Sequence, residues 1–498
     1  MKKYLALFLS FIILSSAALI GVQVYAAADA VPVVYTEHTL TGDKSEIDGI
    51  ELFLELHCAE HLFWDCELTL GEKVKTDTKF SYINDYKRPV TEPRGSFDLS
   101  FGLNNFGASG SGDLLEDRDF FGQYDMIAAA AEKTPAGKTH TEIFRLADFY
   151  EYYPIAVDMH LHDLWFDSSH TSTITDRKYG TQIESLFAVL TEMFKIPVAD
   201  NDYREIQIKK RPDGTVSEVH SSPADNDNYT YLSTFSAITD DAIYFSILPM
   251  THEGPDESMD ISMIKGGWGI YRLPYTVTDY ETPYYAESKT MVQLRPDLLS
   301  CVFPLETGVI IEDFFLSEDA SVFYLTTRRH AGEEDEISLT VIDRETMTEV
   351  QSVPLFNCLP DDYISLTASE ENFILYKIAY KKFAVIEKKD GRWQTAFVVE
   401  DESINTYWSS QEFVTFSYDT PAAFDGERLV IAGYSNERGG NGWDRATSFL
   451  STVYLSVYSA EGNLYTGKFT SSLDTGTYLQ YNNICRPKDE GTLILRLP

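Results

Sequence analysis

The feature that most constrains the fold is a strand-like stretch at residues 373–399, FILYKIAYKKFAVIEKKDGRWQTAFVV. Three runs rich in β-branched and aromatic residues follow one another, and Asp390-Gly391 before the third run is a strong signal for a hairpin turn. Apolar side chains fall on both faces of the first run, which is typical of a strand whose sheet lies between two others. The stretch therefore predicts a small antiparallel meander that is covered on both sides.

A pattern in which an acidic or glycine turn leads into an apolar strand recurs along the chain. The clearest pair is residues 369–376, SEENFILY, and residues 317–324, SEDASVFY. Looser copies begin near residues 240, 425 and 489, at separations typical of a propeller blade plus a variable loop. Roughly the last 260 residues of the chain therefore resemble β-propellers, although no Trp-Asp dipeptide or kelch double glycine marks a particular family.

Composition favours an all-β chain. The sequence holds 31 Tyr and 30 Phe, and Gly, Asp, Asn and Pro separate its strand-like runs. We predict a β-propeller of seven blades, with six or eight left open. Because the last copy of the pattern leaves room for only one strand, a strand-like segment at residues 31–40 is expected to share its blade and close the ring. Residues 31–498 would then form a single domain.

The first half of the chain departs from the blade pattern. Thr181 and Glu184 fit a capping box, and the apolar spacing that follows predicts one inserted helix near residues 182–195. Polar, turn-rich sequence predicts long loop insertions at about residues 104–125, 167–230 and 250–268.

The N-terminus carries the pattern of an export signal. Lys2 and Lys3 precede an apolar run at residues 4–24, and three alanines at residues 26–28 follow it. Residues 1–28 are therefore predicted to be a signal peptide, or an N-terminal membrane anchor if they are not cleaved. The chain is expected to be extracytoplasmic, either secreted or attached to a membrane through this segment alone.

Charge and cysteine content limit the classes of partner and of chemistry. A formal net charge of −38 repels phosphate backbones, so nucleic acid is not an expected partner. The five cysteines are an odd number, so at least one cannot pair within a monomer. Cys58 and Cys66 are close enough in sequence to bridge a hairpin.

The most enzyme-like motif is His57-Cys58-Ala59-Glu60-His61, which fits the H-x-x-E-H pattern of inverted zinc peptidases. On a helix, His57 and His61 would lie one turn apart and could share a zinc ion. On a strand they would be about 13 Å apart, which is too far. The flanking sequence alternates as a strand does, so the zinc peptidase is a minor alternative.

A second candidate metal site lies on a predicted strand. Asp158, His160 and His162 alternate with apolar residues and would share one face, and His170 could return to them across a turn. Imidazole and carboxylate groups at this spacing can converge on one metal ion. A divalent cation is the only cofactor that the sequence indicates, and an ordinary solvated strand face is the alternative.

Two tryptophans in glycine-rich loops, Trp268 and Trp443, are the candidate ligand-binding residues. Such a side chain can stack on a sugar or anchor a partner, but it can equally fix its own loop. No residue is predicted to be catalytic.

The chain as a whole resembles uncharacterised exported propeller-like proteins of Gram-positive bacteria. This resemblance is architectural and implies no residue's role. It favours a non-catalytic module that binds a protein or glycan partner at the cell envelope. A carbohydrate-active hydrolase or lyase on the same scaffold is the alternative, because 78 acidic residues allow many carboxylate pairs.

Overall fold

A computed structural model describes most of the chain in two compact units. One consists of Met1–Pro89 and Asp362–Pro498, and the other is Val90–Asp361. The described residues are 14–18, 33–58, 62–82, 95–103, 106–117, 122–162, 164–167, 180–224, 230–251, 254–255, 259–282, 285–306, 308–378, 382–401, 421–434, 452–472, 486–487 and 493–498. Of the predicted signal or anchor, residues 1–28, only the helical residues 14–18 are described. Over the described ranges, no helix is both long and apolar enough to cross a membrane.

The unit made from both ends of the chain contains three antiparallel sheets among its described residues. Sheet A has the order β1 (Tyr35–Gly42), β29 (Gly462–Ser471), β28 (Thr452–Ser459), β27 (Leu429–Tyr434) and β26 (Ala422–Phe424). Sheet B has the order β30 (Arg486–Pro487), β2 (Glu51–Cys58), β3 (Leu62–Thr69) and β4 (Lys75–Tyr82), and β31 (Ile494–Arg496) also pairs with β2. Sheet C has the order β22 (Ile364–Ser369), β23 (Phe373–Ile378), β24 (Lys382–Lys389) and β25 (Arg392–Glu400).

N-terminal and C-terminal strands share sheets in this unit. Tyr35 of β1 pairs with Ser471 of β29, so the strand at residues 31–40 does share a sheet with a C-terminal strand, but not with the last strand of the chain as predicted. The predicted last strand, β31, pairs instead with β2, where Leu495 lies opposite Leu52.

Sheet A packs against a neighbouring sheet on each face. On β27, Val430 and Ala432 join the buried cluster formed with sheet B, whereas Leu429 and Ile431 join the cluster formed with sheet C. All four side chains are fully buried, as the alternation of a strand between two sheets requires. Burial of both faces therefore holds the three sheets of this unit together.

The meander predicted at residues 373–399 is confirmed as the strands β23, β24 and β25, which β22 extends by one more strand. Ile374, Leu375 and Tyr376 of β23 are all buried, so both faces are covered. The Asp390-Gly391 turn has positive φ at both residues, +51° and +76°, which is the backbone of a type I′ hairpin turn. Residues 379–381 lie outside the described residues.

The unit Val90–Asp361 contains four sheets and three helices among its described residues. Sheet D has the order β6 (Phe106–Ser109), β11 (Val216–Pro223), β10 (Tyr203–Lys210) and β7 (Thr139–Arg145). Sheet E has the order β12 (Tyr231–Ile238), β13 (Ala242–Thr251), β15 (Gly269–Thr282) and β16 (Tyr285–Leu294), with β14 (Gly254–Pro255) on β13 and β17 (Ser300–Pro304) on β15. Sheet F has the order β18 (Val309–Leu316), β19 (Val322–His330), β20 (Asp335–Asp343) and β21 (Thr348–Cys358). Sheet G has the order β5 (Ser96–Phe101), β8 (Ile155–Leu161) and β9 (Leu164–Asp167).

The predicted helix is present as α3 (Gly180–Met193), and it buries Ile183, Leu186 and Leu190 on one face. Two other helices, α1 (Leu114–Asp117) and α2 (Tyr124–Lys133), were not predicted. Besides these and the helical residues 14–18, the described part of the chain has three short 3₁₀ segments at Lys44–Ile47, Leu146–Asp148 and Pro296–Leu298.

The prediction of long loop insertions is wrong over part of residues 104–125 and 167–230, and the short strand β14 lies within the third predicted range, 250–268. Strand β6 and helix α1 lie within the first range, and the hairpin of β10 and β11 lies within the second. The hairpin forms because Ile206 and Ile208 alternate with polar residues and are fully buried, while Gly214, at φ +94°, makes the turn. At the level of fold class, the all-β prediction is confirmed, since the described chain consists mainly of small antiparallel sheets.

Sheet F contains a buried group of charged side chains. Strand β18 bulges at Glu312, and the Glu312 carboxylate accepts a hydrogen bond of 2.5 Å from Arg328 Nε. Arg328, 6% exposed, also donates to the carbonyl oxygen of Pro360 at 2.7 Å and lies 3.4 Å from the Asp335 carboxylate. The second oxygen of Asp335 is 2.8 Å from His330 Nδ1. The Arg328 guanidinium is therefore the charge that compensates two buried carboxylates.

Asp313, next to the bulge, gives a testable pH dependence. Burial raises the pKa of this carboxyl to about 6, although it accepts a hydrogen bond from the Phe314 N–H. The pKa of Asp313 is higher in the folded state than in the unfolded state. Its contribution to the unfolding free energy is therefore fully present below the unfolded-state pKa and is lost as the pH rises through about 6. Asparagine does not titrate and keeps the acceptor oxygen.

We therefore expect Asp313→Asn to gain stability over the wild type as the pH rises. The difference in unfolding free energy should grow by about 1 kcal/mol between pH 5 and pH 7.5, as measured by urea denaturation. Glu318→Gln, a change at an exposed carboxylate in the following turn, serves as the control and should show no such trend. A difference for Asp313→Asn that does not change with pH would contradict the prediction.

Candidate functional site

A pocket of about 570 Å³ lies between sheets E and F, within the unit Val90–Asp361. We call it the arginine pocket. Its lining consists of Asp241, Tyr244, Arg272, Val302, Arg344, Glu345, Thr346 and Met347. The two arginines and two acidic residues balance in formal charge, and Val302 and Met347 supply apolar surface.

The turn before β13 positions Asp241. The Thr239 hydroxyl donates to Asp241 Oδ1 at 2.8 Å, and the Thr239 N–H donates to the Ala242 carbonyl at 3.0 Å. The matching turn before β19 uses the same chemistry, because the Ser317 hydroxyl donates to Asp319 at 2.7 Å. Asp241 is therefore the aspartate of a recurring structural turn, and here it also reaches two arginines.

Arg272 faces Tyr244 and Asp241 from the next strand. Arg272 on β15 is directly opposite Tyr244 on β13, so both side chains lie on the same face of sheet E. The Arg272 Nε–H donates to the Tyr244 hydroxyl at 3.1 Å, and Nη2 donates to Asp241 Oδ2 at 2.6 Å. Tyr244 is 3% exposed and packs on Phe323 with ring centroids 4.6 Å apart. The guanidinium of Arg272 is thus held against a rigid aromatic side chain.

Arg344 reaches the pocket from the turn between β20 and β21. Its backbone N–H donates to the Ser321 carbonyl at 3.1 Å, and its Nη1 donates to the Ala320 carbonyl at 3.3 Å. The turn itself is tied by Asp343, whose carboxylate accepts the Thr346 N–H at 2.8 Å. Arg344 Nη2 lies 3.6 Å from Asp241 Oδ1, an ion pair that is too long for a hydrogen bond.

The Asp241 carboxylate stays ionised in this setting. The Asp241 side chain is 50% exposed. Its partial burial would raise the pKa, but hydrogen bonds from Thr239 and Arg272 and the charges of Arg272 and Arg344 outweigh that effect and hold the pKa below its ordinary value. Asp241 is therefore a fixed anion at neutral pH, able to accept hydrogen bonds and unable to donate a proton.

The predicted metal residues do not form a metal centre in the described part of the chain. Asp158 and His160 share an exposed face of β8, as expected, and His162 lies in the following turn with φ +52°. His170 lies outside the described residues. No three His, Cys, Asp or Glu side chains of the described ranges come together as a metal-binding group. Occupancy by a divalent cation stays a prediction.

Asp158 has an acidic neighbour, Asp98, that the sequence did not single out. Asp98 on β5 pairs directly with Asp158 on β8. Burial raises the pKa of Asp98, the charge of Asp158 raises it further, and hydrogen bonds from Thr234 and the Leu99 N–H only partly oppose both effects. This strand pair therefore places two like charges side by side, an arrangement that costs stability.

The two tryptophans have different outcomes. Trp268 is 7% exposed and packs in the core of its unit. This burial fits a side chain that fixes its own loop, and it leaves no open ring face on which a sugar could stack. Trp443 lies outside the described residues.

The H-x-x-E-H motif does not start on a helix. His57 and Cys58 end strand β2, where His57 pairs with Phe63, so the helical arrangement needed for zinc is absent at His57, and Glu60 and His61 lie outside the described residues. The same register pairs Cys66 with Leu54 and Cys58 with Leu62, so the two cysteines are not opposite each other on the hairpin. Cys66 is a free, buried thiol. Desolvation raises the pKa of this thiol to about 11.

Comparison with known proteins gives no family. No protein-family model matches the chain, and no curated protein is similar to it in sequence. Among solved structures, the chain is similar to dipeptidyl peptidase 4 of Porphyromonas gingivalis, with 11% sequence identity and a TM-score of 0.17 over 72% of this chain and 62% of that one. This chain therefore spans less than two thirds of the length of that protein.

The residues of the arginine pocket were not predicted as a site. Asp241 was recognised only as part of a repeated turn, and Arg272 and Arg344 belong to different sheets. One signal was present in the sequence, since Thr239-Asp240-Asp241 matches Ser317-Glu318-Asp319. The two arginines that reach Asp241 come together only through strand pairing and sheet packing.

Thr239 tests how the turn holds Asp241. We expect Thr239→Val, which replaces the hydroxyl with a methyl group, to lower the unfolding free energy by about 1–3 kcal/mol because Thr239 is 6% exposed and its hydroxyl is hydrogen-bonded to Asp241 and Ala242. Thr239→Ser keeps the hydroxyl and should cost less. Urea denaturation of the three proteins makes the comparison. A serine variant less stable than the valine variant would contradict this role.

Proposed function

We propose that the protein is a non-catalytic binding module outside the cytoplasm and that its ligand site is the arginine pocket. The observation that carries the proposal is the convergence of Asp241, Arg272 and Arg344 in a pocket of about 570 Å³. Few, well-placed polar groups above apolar side chains are typical of small-molecule and glycan sites. The extracytoplasmic location rests on the export pattern of residues 1–28.

We further propose that the scaffold is a seven-bladed β-propeller. Sheet F and sheet C are each a meander of four strands in chain order, as in a propeller blade. The described residues form seven antiparallel sheets in all, which favours seven blades over six or eight. The pairing of β1 with β29 supports a ring whose two chain ends share a blade.

The state of Asp241 favours binding over catalysis. A glycoside hydrolase needs a carboxylic acid that holds a proton at the working pH, and such an acid has a raised pKa. The pKa of Asp241 is lowered, because hydrogen bonds and two guanidinium charges outweigh its burial. The carbohydrate-active alternative keeps one supporting observation, since Glu345 lines the same pocket.

The size of the pocket bears on the partner. Its volume suits a small polar molecule or the end of a glycan chain, rather than a protein surface. We therefore propose a glycan or a small molecule at the cell envelope as the partner, and neither nucleic acid nor a zinc-dependent peptide substrate. The latter loses support because β2 runs through His57 and Cys58 as a strand.

Thermal-shift and calorimetric screening of soluble cell-envelope glycan fragments would test the proposed function. We expect at least one fragment to raise the Tm of the wild type, with the shift lost in Arg344→Gln. Arg295→Gln is the matched control, because Arg295 is an exposed arginine of the same unit that pairs with Asp297 and does not line the pocket. It should keep the shift.

Two results would contradict this proposal. The first is sustained turnover of a bound glycan by the purified protein, which would favour the carbohydrate-active enzyme. The second is a fragment whose binding is unaffected by Arg344→Gln, which would place the site elsewhere.

A further inference from the structure

We propose that the arginine pocket recognises an oxyanion, and that Asp241 occupies part of the oxyanion site while no ligand is bound. This inference rests on the proposed function, since it names the chemical class that the same pocket would bind. Two observations support it: the N–H donors of the two arginines that make no hydrogen bond to the described residues, and the position of Asp241 between the arginines.

The guanidinium groups of Arg272 and Arg344 have more N–H donors than they use in hydrogen bonds to the described residues. Each carries five N–H groups. Arg272 uses Nε on Tyr244 and Nη2 on Asp241, and Arg344 uses Nη1 on the Ala320 carbonyl. Within the described residues, these are their only hydrogen bonds, so several N–H groups of two pocket-lining arginines await an acceptor. Planar, bidentate acceptors such as carboxylate and phosphate match this geometry best.

Both arginines are held in place before any ligand binds. Arg272 is 31% exposed and rests on the buried Tyr244 side chain, and Arg344 is 29% exposed and fixed through Ala320 and Ser321. Partial burial strengthens the interaction of each guanidinium with an anion, because less water competes for its donors. A preorganised site also loses less conformational entropy when it binds.

Asp241 lies where one part of such a ligand would bind, and it fits imperfectly. Its carboxylate is 2.6 Å from Arg272 Nη2 but 3.6 Å from Arg344 Nη2, so it forms a hydrogen bond with only one of the two arginines. The Thr239 hydroxyl holds the oxygen that lies nearer Arg344. A ligand oxyanion has no such tether and could satisfy Arg344 fully. Asp241 is therefore an internal competitor for the arginine donors.

Charge and hydrogen-bonding capacity define the ligand further. The two arginines and two acidic residues of the lining balance in formal charge, and the whole chain carries −38, which disfavours ligands with several negative charges. The Glu345 side chain makes no hydrogen bond within the described residues and can accept one from a hydroxyl. The pocket accordingly suits a small hydroxylated molecule with a single oxyanion group, such as an acidic sugar.

The experiment compares four probes by isothermal titration calorimetry: D-glucuronate, glucose 6-phosphate, glucose 6-sulfate and D-glucose. We expect glucuronate, or one of the two esters, to bind at least about tenfold more tightly than glucose, because the anionic group gains charge-assisted hydrogen bonds. The order among the three anions tells which oxyanion the pocket prefers. Added salt should weaken the binding of the anions more than that of glucose.

Variants test Arg344 and the competitor Asp241 separately. Arg344→Gln should lower affinity for the preferred anion at least about tenfold, and Arg295→Gln should leave it unchanged. Asp241→Asn should raise that affinity, because the amide keeps the acceptor oxygen and removes the competing charge. If Arg344→Gln fails to fold, as judged by circular dichroism, the gain in Asp241→Asn still tests the proposal.

The outcomes separate this inference from the proposed function. Glucose binding as tightly as every anion would overturn the oxyanion preference while the pocket remained a glycan site. Weaker anion binding by Asp241→Asn would overturn the role of Asp241 as a competitor. If neither these probes nor the envelope glycan fragments bind the wild type, the proposed function itself fails.

Discussion

Burial of sheet faces against neighbouring sheets is the constraint on which the rest of the structure depends. Sheet A shows it most clearly, because alternate residues of β27 belong to different buried clusters, one shared with sheet B and the other with sheet C. A sheet with two apolar faces is stable only when a neighbour covers each. Its residues therefore serve packing, and polar chemistry is left to the turns and strand ends.

Two groups of charged residues in the unit Val90–Asp361 meet this constraint in different ways. Around Arg328, two carboxylates and a backbone carbonyl surround one buried guanidinium, and the two carboxylate side chains are at most 14% exposed. Around Asp241, one carboxylate is shared by two partly exposed guanidinium groups. The first arrangement has little capacity for a ligand, since acceptors outnumber cations. In the second, donors exceed acceptors, which is the condition for recognising an anion.

The sequence predicted those parts of the fold whose signals are local. The meander at residues 373–399 and helix α3 were found because alternation, turn chemistry and helical spacing all lie within a few residues of one another. Loops were predicted where β10 and β11 form a hairpin, because charged residues between Ile206, Ile208 and Val216 concealed their alternation. The candidate site could not be predicted in the same way. Asp241 and Arg344 meet only because sheets E and F pack together, and neither lies in a chemical motif.

The pairing of β1 with β29 has a consequence for how the chain acquires its structure. Tyr35 cannot meet Ser471 until nearly all of the chain has been synthesised, whereas the contiguous segment Val90–Asp361 has its own buried core and requires neither end. The middle of the protein can therefore fold first, while β1 waits as an unpaired edge. Such late, non-local closure is slow and leaves an edge open to aggregation in the meantime. The yield of correctly folded protein would then depend less on the final stability of the N-terminal strands than on whether they avoid aggregation before β29 pairs with β1.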